Sequence, residues 1–406
     1  MASKSTPLGK ENPRVQGARS LWWQVVISST GDGMFLTALP LLAATLTRDP
    51  IAIAAVTVAG RVPWLMFSLP IGAIADRFDR RNLMVIADTV RGIVVATLAV
   101  FVISGDVRVW VLYVCAFVLG AGEVLHANAS QALIPVVVGS ENLVAFNSSM
   151  SAAQAATETF VGPPIGSALF AAAPAMPFVA DAVSFGGSII LAARLADVHG
   201  VAPSSTRLRD DIREGVRYLW HDAALRRLAL MISGLNILWF SAEGVLVLYA
   251  FDELHGGKAT FTALFLAGAA GTIVMQRFIA PLRRRFGVAG AMIVMLWIWA
   301  AATLGLAIAT NGGTAVVSFF VIGFGDGLWR VLATSLRQTI TPNHLLGRVN
   351  SVHRMFGMGA IPIGAALGGA EASLLSVRAP FVVAAVGFGL AAVFSRRLVA
   401  PLRRPD

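Results

Sequence analysis

The acidic residues that stand inside long apolar stretches of this chain include five of particular interest: Asp32, Glu123, Glu158, Glu243 and Asp326. A charged side chain near the centre of a membrane helix costs about 2.5–3.5 kcal/mol on insertion scales, so such residues are rare and commonly functional. Burial disfavours the charged form of a carboxyl group, which can then bind or release a proton when its surroundings change. The five residues are candidates for proton coupling, and a structural hydrogen bond is the alternative for each.

Asp32 has the most informative surroundings of the five. It lies near the centre of the first apolar stretch, within Gly31-Asp32-Gly33. Flanking glycines allow close contact with a neighbouring helix or border an opening cavity. We favour a proton or substrate site for Asp32 over a polar contact at a helix break. Glu158 stands four residues before Gly162 and Pro163, a pair that predicts a kink.

The elements that position these acids are predicted to be membrane helices. The chain of 406 residues is 56% hydrophobic and 13% charged, with a mean hydropathy of +0.74. Ordinary soluble domains are about 25% charged, and about 20 apolar residues suffice to span a bilayer. We therefore predict an all-α membrane protein with twelve transmembrane helices. They cover 21–46, 51–75, 83–104, 109–129, 147–170, 175–195, 227–251, 260–281, 288–310, 314–335, 352–374 and 378–398.

Basic residues predict the orientation of these helices. Of the 32 Lys and Arg residues, 24 fall on the side of the predicted helices that carries both termini, four in the opposite loops and four inside apolar segments. Such a bias indicates that both termini are cytoplasmic. The net charge of +10 is spread over short stretches that lie against anionic headgroups. Membrane lipids, and not nucleic acid, are thus the expected partners of the basic residues.

The two halves of the chain share a repeated motif. Gly120-Ala-Gly122-Glu123-Val-Leu125 matches Gly323-Phe-Gly325-Asp326-Gly-Leu328 at an offset that also aligns Asn147-Ser148 with Asn350-Ser351. Parallel six-helix repeats place a substrate site near the midplane between them. The predicted organisation is a cytoplasmic tail (1–20), a first bundle (21–195), a linker with an amphipathic helix (196–226), a second bundle (227–398) and a cytoplasmic tail (399–406).

A short charged turn separates the second and third apolar stretches. It reads Gly72-Ala-Ile-Ala-Asp76-Arg77-Phe-Asp79-Arg80-Arg81 and resembles the loop between helices 2 and 3 of major facilitator superfamily transporters. Gly162-Pro163-Pro164-Ile-Gly166 is similar to an element of antiporters in that superfamily. A third resemblance is to the branch of macrolide efflux pumps and enterobactin-type exporters. It lies in the segment that begins with Thr341-Pro342 and ends with Gly347-Arg348-Val349-Asn350-Ser351.

The resemblance implies two pseudo-symmetric six-helix bundles that export small amphipathic or hydrophobic compounds by drug:proton antiport and alternating access. Two departures are visible. Glu123 stands near the place of an Arg expected in helix 4, and Arg283-Arg284-Arg285-Phe-Gly287 lacks the Asp of the charged turn. The implied substrate-binding residues are Met34, Phe35, Trp64, Asn236, Trp239, Phe240, Trp329, Met355 and Phe356. For each of them, lipid-facing packing is the alternative.

Gating is expected from the charged turn and its surroundings. Its arginines are expected to pair with cytoplasmic acids and lipid phosphates, and Asp88 and Arg91 to form a local pair or to support the turn. Arg61 is expected to extend towards the outer headgroups. The expected gating residues are Gly72, Asp76, Arg77, Arg80, Arg81, Asp88, Arg91, Gly162 and Pro163.

Motifs for enzymatic chemistry are missing from the sequence. It contains no phosphate-binding GxxxxGK[ST] loop, no His or Cys spacing for zinc and no Gly-x-Ser-x-Gly turn. We expect a non-enzymatic, monomeric transporter in a bacterial plasma membrane that uses a proton gradient and neither cofactor nor metal. The alternatives are a dedicated exporter of a siderophore or self-made antibiotic, a lysophospholipid or lipid flippase, and a non-transporting receptor or scaffold.

Overall fold

The computed structural model describes residues 13–75, 78–138, 143–195, 217–340 and 346–399. Every regular element in these residues is a helix. The predicted tails and most of the predicted linker lie outside the described residues. Eight of the described helices are long and apolar enough to cross a membrane, and one of these covers two passes.

The first six helices form one bundle. Helix α5 contains a wide turn at Ala156–Val161, directly before Gly162 and Pro163. The bounds are α1 Pro13–Leu46, α2 Pro50–Ala75, α3 Arg80–Ser104, α4 Val109–Val138, α5 Leu143–Ala155 with its continuation Gly162–Ala172, and α6 Met176–Ala193.

The second six helices repeat this arrangement. Helix α7 runs over Ala223–Glu243 and continues through Leu246–Leu248 and Tyr249–Glu253. The helical stretch Gly257–Ile308 is interrupted at Gly287, which divides it into α8 (257–286) and α9 (288–308). The remaining helices are α10 Gly312–Ile340, α11 Leu346–Leu374 and α12 Ala379–Val399. The prediction of an all-α, twelve-helix membrane protein is confirmed.

Two local differences from the predicted helices have simple causes. Helix α1 begins at Pro13 and not at residue 21, because its first turns are polar and carry no apolar signal. The second copy of the charged turn, at 283–287, was expected to separate two helices, but the chain is helical there except at Gly287. The φ of Gly287, 68°, lies in the left-handed region that glycine adopts at little cost.

Close backbone contacts between helices follow the sequence repeat. A methyl group on Gly120 of α4 would overlap the carbonyl oxygen of Gly60 in α2, and a methyl group on Gly323 of α10 would overlap that of Gly268 in α8. Small residues allow membrane helices to approach in this way. The α2–α4 contact of the first bundle is thus repeated as the α8–α10 contact of the second.

The two bundles meet along several helices. Helix α2 packs against α11, and the second part of α5 packs against α8. We call the end of the molecule at which α1 begins and α12 ends the terminal face, and the opposite end the distal face. At the distal face Arg48 lies 3.3 Å from Asp252, and the Lys258 ammonium lies 5.0 Å from the centre of the Phe170 ring. Both contacts join the first bundle to the second.

Candidate functional site

Arg91 of α3 is the centre of a buried charged cluster in the first bundle. Its side chain is 3% exposed and its guanidinium contacts the Asp32 carboxylate of α1. The same guanidinium lies 3.6 Å from Asp88 and 4.4 Å from the centre of the Phe185 ring of α6. Helical spacing of three residues places Asp88 and Arg91 on one face of α3, and α1 supplies the second carboxylate.

Besides Arg91 of its own helix, Asp88 has polar partners on two other helices. His126 Nδ1 of α4 lies 2.8 Å from Asp88 Oδ1, and the Ser188 hydroxyl of α6 donates to Oδ2 at 2.5 Å. Since a buried carboxylate is costly without such partners, these contacts explain how Asp88 is tolerated with no exposed surface. His126 and Ser188 are not among the residues predicted from the sequence.

Asp181 of α6 belongs to the same cluster. The residue is 1% exposed, interacts electrostatically with Asp32 and Arg91, and has the Ser184 hydroxyl 3.2 Å from Oδ1. It is also absent from the predicted site residues. It satisfies the criterion that singled out Asp32, an acid inside an apolar segment, and could have been found in the same way.

The glycines around Asp32 bring three helices together. A methyl group on Gly31 would overlap Asp181 Oδ1 and Ser184 Oγ, and one on Gly33 would lie 2.6 Å from the carbonyl oxygen of Glu158. A methyl group on Gly162 would lie 2.7 Å from Gly33 Cα. The Gly31-Asp32-Gly33 motif therefore allows α1 to contact α6 on one side and α5 on the other, with Asp32 between them.

Two clefts border this cluster. One lies in the half of the bundle nearest the terminal face, between α1, α4 and α5, and is bordered by Asp32, Arg91 and His126. The other lies deeper and is lined by apolar residues together with charged ones. Its charged residues are Asp32, Arg61, Arg91, Glu123, Glu158 and Asp181.

The structure separates the predicted proton-coupling residues into two groups. Asp32, Glu123 and Glu158 line the deeper cleft of the first bundle, where Gln154 donates to Glu158 at 3.4 Å. Glu243 lies in the second bundle and interacts with Asp326, Trp239 and the Arg61 side chain of the first bundle.

Arg61 does not extend towards the headgroups as expected. Its side chain is 12% exposed and its Nη1 lies 3.5 Å from Glu123 Oε2, so the expectation is wrong. The nearby Glu123 carboxylate provides a partner inside the bundle, and a partly buried ion pair replaces solvation at the membrane surface. Arg61 also interacts with Glu243, which connects the acids of the two bundles.

An apolar cluster takes the place of Arg91 in the second bundle. Gly122 of α4 packs against Arg91, whereas the repeat-related Gly325 of α10 packs against Trp299 of α9. The Trp299 and Phe388 rings lie 5.3 Å apart, which corresponds to the Arg91–Phe185 contact. The backbone repeat is therefore kept, while the buried charge at this position is confined to the first bundle.

The predicted gating residues are only partly described. Gly72 lies in the last turn of α2, whereas Asp76 and Arg77 lie outside the described residues. Arg80 donates to the carbonyl of Ala132 at 2.9 Å and Arg81 to that of Ala193 at 2.6 Å. Ala193 is the last residue of α6, where the backbone carbonyls carry partial negative charge, whereas Ala132 lies within α4.

The predicted substrate-binding residues have several locations. Phe35 lines the deeper cleft and its ring lies 5.9 Å from that of Phe178. The other eight do not line the two clefts described above. Buried or partly buried packing positions are occupied by Met34, Trp64, Asn236, Trp239, Phe240, Trp329, Met355 and Phe356.

Several of these eight make contacts in or beside the second bundle. Asn236 donates to the carbonyl of Gly357 at 2.8 Å and links α7 to α11. Phe356 stacks on Trp220 at 6.1 Å, and Trp329 lies 6.3 Å from Trp299. Among the described residues, no group of three or more His, Cys, Asp or Glu side chains is arranged to hold a metal ion.

Comparison with known proteins agrees with this architecture. The chain is 26% identical to the multidrug efflux pump Tap of Mycolicibacterium fortuitum, covering 91% of this chain and 93% of the relative. It is 21% identical to macrolide efflux protein A of Streptococcus pyogenes, covering 90% and 91%.

Solved structures show the same fold. A bacterial homologue of the iron transporter ferroportin, in its inward-facing state, matches with a TM-score of 0.72 and 18% identity over 95% of this chain and 98% of that one. The human organic anion transporter MFSD10 matches with a TM-score of 0.66 and 16% identity over 95% and 100%. The profile of one family matches residues 9–404, and the chain therefore belongs to the transmembrane secretion effector family of the major facilitator superfamily.

Proposed function

We propose that this protein exports small amphipathic or hydrophobic compounds by proton antiport with alternating access. The observation that carries the proposal is the Asp32–Arg91 ion pair, which lies at the wall of a cleft lined by both apolar and charged residues. Two relatives named as efflux proteins, Tap and macrolide efflux protein A, support the direction of transport.

Protonation of Asp32 would change the cluster directly. A neutral Asp32 no longer attracts Arg91, and the guanidinium is then free to neutralise another acid of the cluster. Because charges interact strongly in a low-dielectric interior, this exchange alters the electrostatic potential of the cleft that Asp32 lines. Proton binding and substrate binding are thereby coupled through one side chain, which is what antiport requires.

The proposed orientation places the terminal face in the cytoplasm of a bacterium. The distribution of 24 basic residues against four supports it. The described contacts at the distal face, Arg48 with Asp252 and Lys258 with Phe170, hold the two bundles together there. A cleft near the terminal face would then receive a substrate from the cytoplasm or the inner leaflet.

Efflux measurements test the proposal. Cells that express the wild type, Asp32→Asn or Asp106→Asn would be loaded with a panel of lipophilic cations and neutral drugs. Asp106 lies in an exposed loop and is the matched control, because its replacement removes a carboxylate outside the cluster. We expect energised efflux by the wild type and the control, and its loss in Asp32→Asn at equal expression.

Collapse of the proton gradient provides the second arm of this experiment. Efflux should stop while cellular ATP remains. Efflux that persists after the collapse would contradict proton antiport. A wild type that exports no compound of the panel would contradict the multidrug function and direct the work to lipids and dedicated natural products.

A further inference from the structure

The acids of the first bundle outnumber its cations. Asp181 faces charged or titratable groups on every helix that surrounds it. These groups are Asp32 on α1, Asp88 and Arg91 on α3, Glu123 and His126 on α4, and Glu158 on α5. Arg61 lies further along the cleft and is 3.5 Å from Glu123. The cluster therefore contains five carboxyl groups, two guanidinium groups and one histidine.

Most of these carboxyl groups have polar partners at close range. Arg91 contacts Asp32, Asp88 has His126 and Ser188, and Glu123 has Arg61. Among the described residues, no cation lies within 4.0 Å of the Asp181 carboxyl group, and its hydrogen-bond partner is the neutral Ser184 hydroxyl. Asp181 is thus a nearly fully buried acid without an ion pair of its own.

Such an acid is expected to carry a proton. Transfer of an unpaired carboxylate into a protein interior costs several kcal/mol, and the group usually becomes neutral instead. Asp32 differs from Asp181 because its carboxylate contacts the Arg91 guanidinium, and a neighbouring opposite charge favours the charged form. Asp32 follows Gly31 in the sequence, and the Asp181 carboxyl group packs against that same glycine.

We propose that Asp181 is the second proton-binding group of the transport cycle and that Arg91 alternates between Asp32 and Asp181. In the state of the structure, Arg91 neutralises Asp32 and Asp181 is a neutral carboxyl group. A proton that binds the Asp32 carboxylate breaks the ion pair with Arg91. Arg91 then pairs with Asp181, whose O–H bond breaks and releases a proton.

The charge of the cluster is the same before and after this exchange. One proton enters at Asp32 and one leaves from Asp181, so no unpaired charge is created in the interior. When the Arg91 guanidinium moves from Asp32 to Asp181, the ion pair of α3 with α1 is replaced by an ion pair with α6. This assignment rests on the proposed proton coupling and adds the residue that holds the second proton.

Infrared spectroscopy of the purified full-length protein tests the assignment without transport. A protonated carboxyl group has a carbonyl stretch separate from that of a carboxylate. We expect the spectrum at neutral pH to show this band, and Asp181→Asn to lose it. Asp106→Asn, which removes an exposed acid, should keep the band. An unchanged band in Asp181→Asn would overturn the assignment.

Two further variants test the exchange and guard against misfolding. Asp32→Asn mimics a permanently protonated Asp32, so Arg91 should pair with Asp181 and the band should be lost. Ser184→Ala keeps the acid but removes its hydroxyl partner, so the band should shift in frequency. An unshifted band in Ser184→Ala, or a band retained in Asp32→Asn, would contradict the exchange. These spectra do not depend on efflux. The assignment of Asp181 can therefore fail while proton-coupled efflux is upheld, and proton-coupled efflux can fail while the assignment is upheld.

Discussion

At the scale of single residues, the charged cluster depends on Arg91. Its guanidinium contacts Asp32, lies near Asp88 and covers the face of the Phe185 ring. Planar geometry and several donors allow one arginine to serve two carboxylates and an aromatic ring at once, which a lysine ammonium cannot do as well. Since both acids are inside the bundle, Arg91 contributes to the stability of the fold as well as to the proposed coupling.

Replacement of Arg91 should therefore destabilise the protein strongly. Removal of one partner of a buried ion pair typically costs about 3–5 kcal/mol, because the other charge is left uncompensated. We expect Arg91→Ala to lower the apparent melting temperature of the purified protein in detergent, and Arg91→Lys to recover part of the loss. Arg108→Ala, in an exposed loop, should change stability by no more than about 0.5 kcal/mol. Equal melting temperatures for Arg91→Ala and Arg108→Ala would contradict the structural role.

At the scale of helices, glycine determines which elements meet. Gly31 and Gly33 bring α1 against α6 and α5, while Gly120 and Gly323 produce equivalent contacts in the two bundles. Membrane helices gain little from burial of apolar surface, since lipid is also apolar, and their association depends on close packing. Loss of a contact-forming glycine should therefore separate two helices and displace the side chains they carry.

Gly31 offers a sharp test of this packing, because a methyl group there would overlap Asp181 and Ser184. Overpacking of an interior typically costs about 1–3 kcal/mol. We expect Gly31→Ala to lower the melting temperature and to reduce efflux. Gly186→Ala in α6 is the matched control, since nothing lies within 4 Å of a methyl group at that position. If both variants behave like the wild type, the close approach of α1 and α6 is not required.

At the scale of the whole molecule, the distal face connects the bundles. Arg48 lies 3.3 Å from Asp252 and 5.0 Å above the Phe251 ring. The neighbouring Glu253 is 2.5 Å from Arg378, which also donates to the carbonyls of Ala307 and Ala309 at 2.9 and 2.8 Å. Arg378 thus holds the end of α7 within the second bundle, and Arg48 of the first bundle contacts the same end of α7 through Asp252. Alternating access would require the Arg48 contact to break.

The Arg48–Asp252 pair should bias the population of the closed distal face modestly. Its side chains are 53% and 42% exposed, and exposed ion pairs contribute about 0.2–1 kcal/mol. Arg48→Ala should therefore shift the ratio of closed to open molecules by at most about fivefold. Spin labels attached at positions 106 and 376 would measure the distance across the distal face in nanodiscs. Cys115 would be replaced by Ala so that it is not labelled.

Charge reversal separates an ion pair from a general packing effect. Arg48→Asp should open the distal face, and the double variant Arg48→Asp with Asp252→Arg should restore the wild-type distribution of distances. Arg108→Asp, which reverses a charge in another loop of the first bundle, is the control. A double variant that remains as open as the single one would show that the ion pair does not hold this face closed.

Many residues of the charged cluster could be predicted from residue types in the sequence, whereas several of their partners could not. The acids Asp32, Glu123 and Glu158 were predicted as a class and lie together at the deeper cleft. Asp181, His126 and Ser188 were missed, and the outward position expected of Arg61 was wrong. A serine or histidine in a helix has no pattern that reveals its partner, since the contact depends on how three helices are rotated against each other.

The class of protein, the number of helices and the repeat of two halves could all be predicted from the order of residues in the chain. These properties follow from the length of apolar runs and from the repeated Gly-x-Gly-acid motif, which are local in the chain. The folded molecule was needed to show that Arg91 pairs with Asp32, 59 positions away in the chain, and that Trp299 takes the place of Arg91 in the second bundle. Such pairings arise because a buried charge must find its partner on another helix, and the helix that lies nearest is decided by packing.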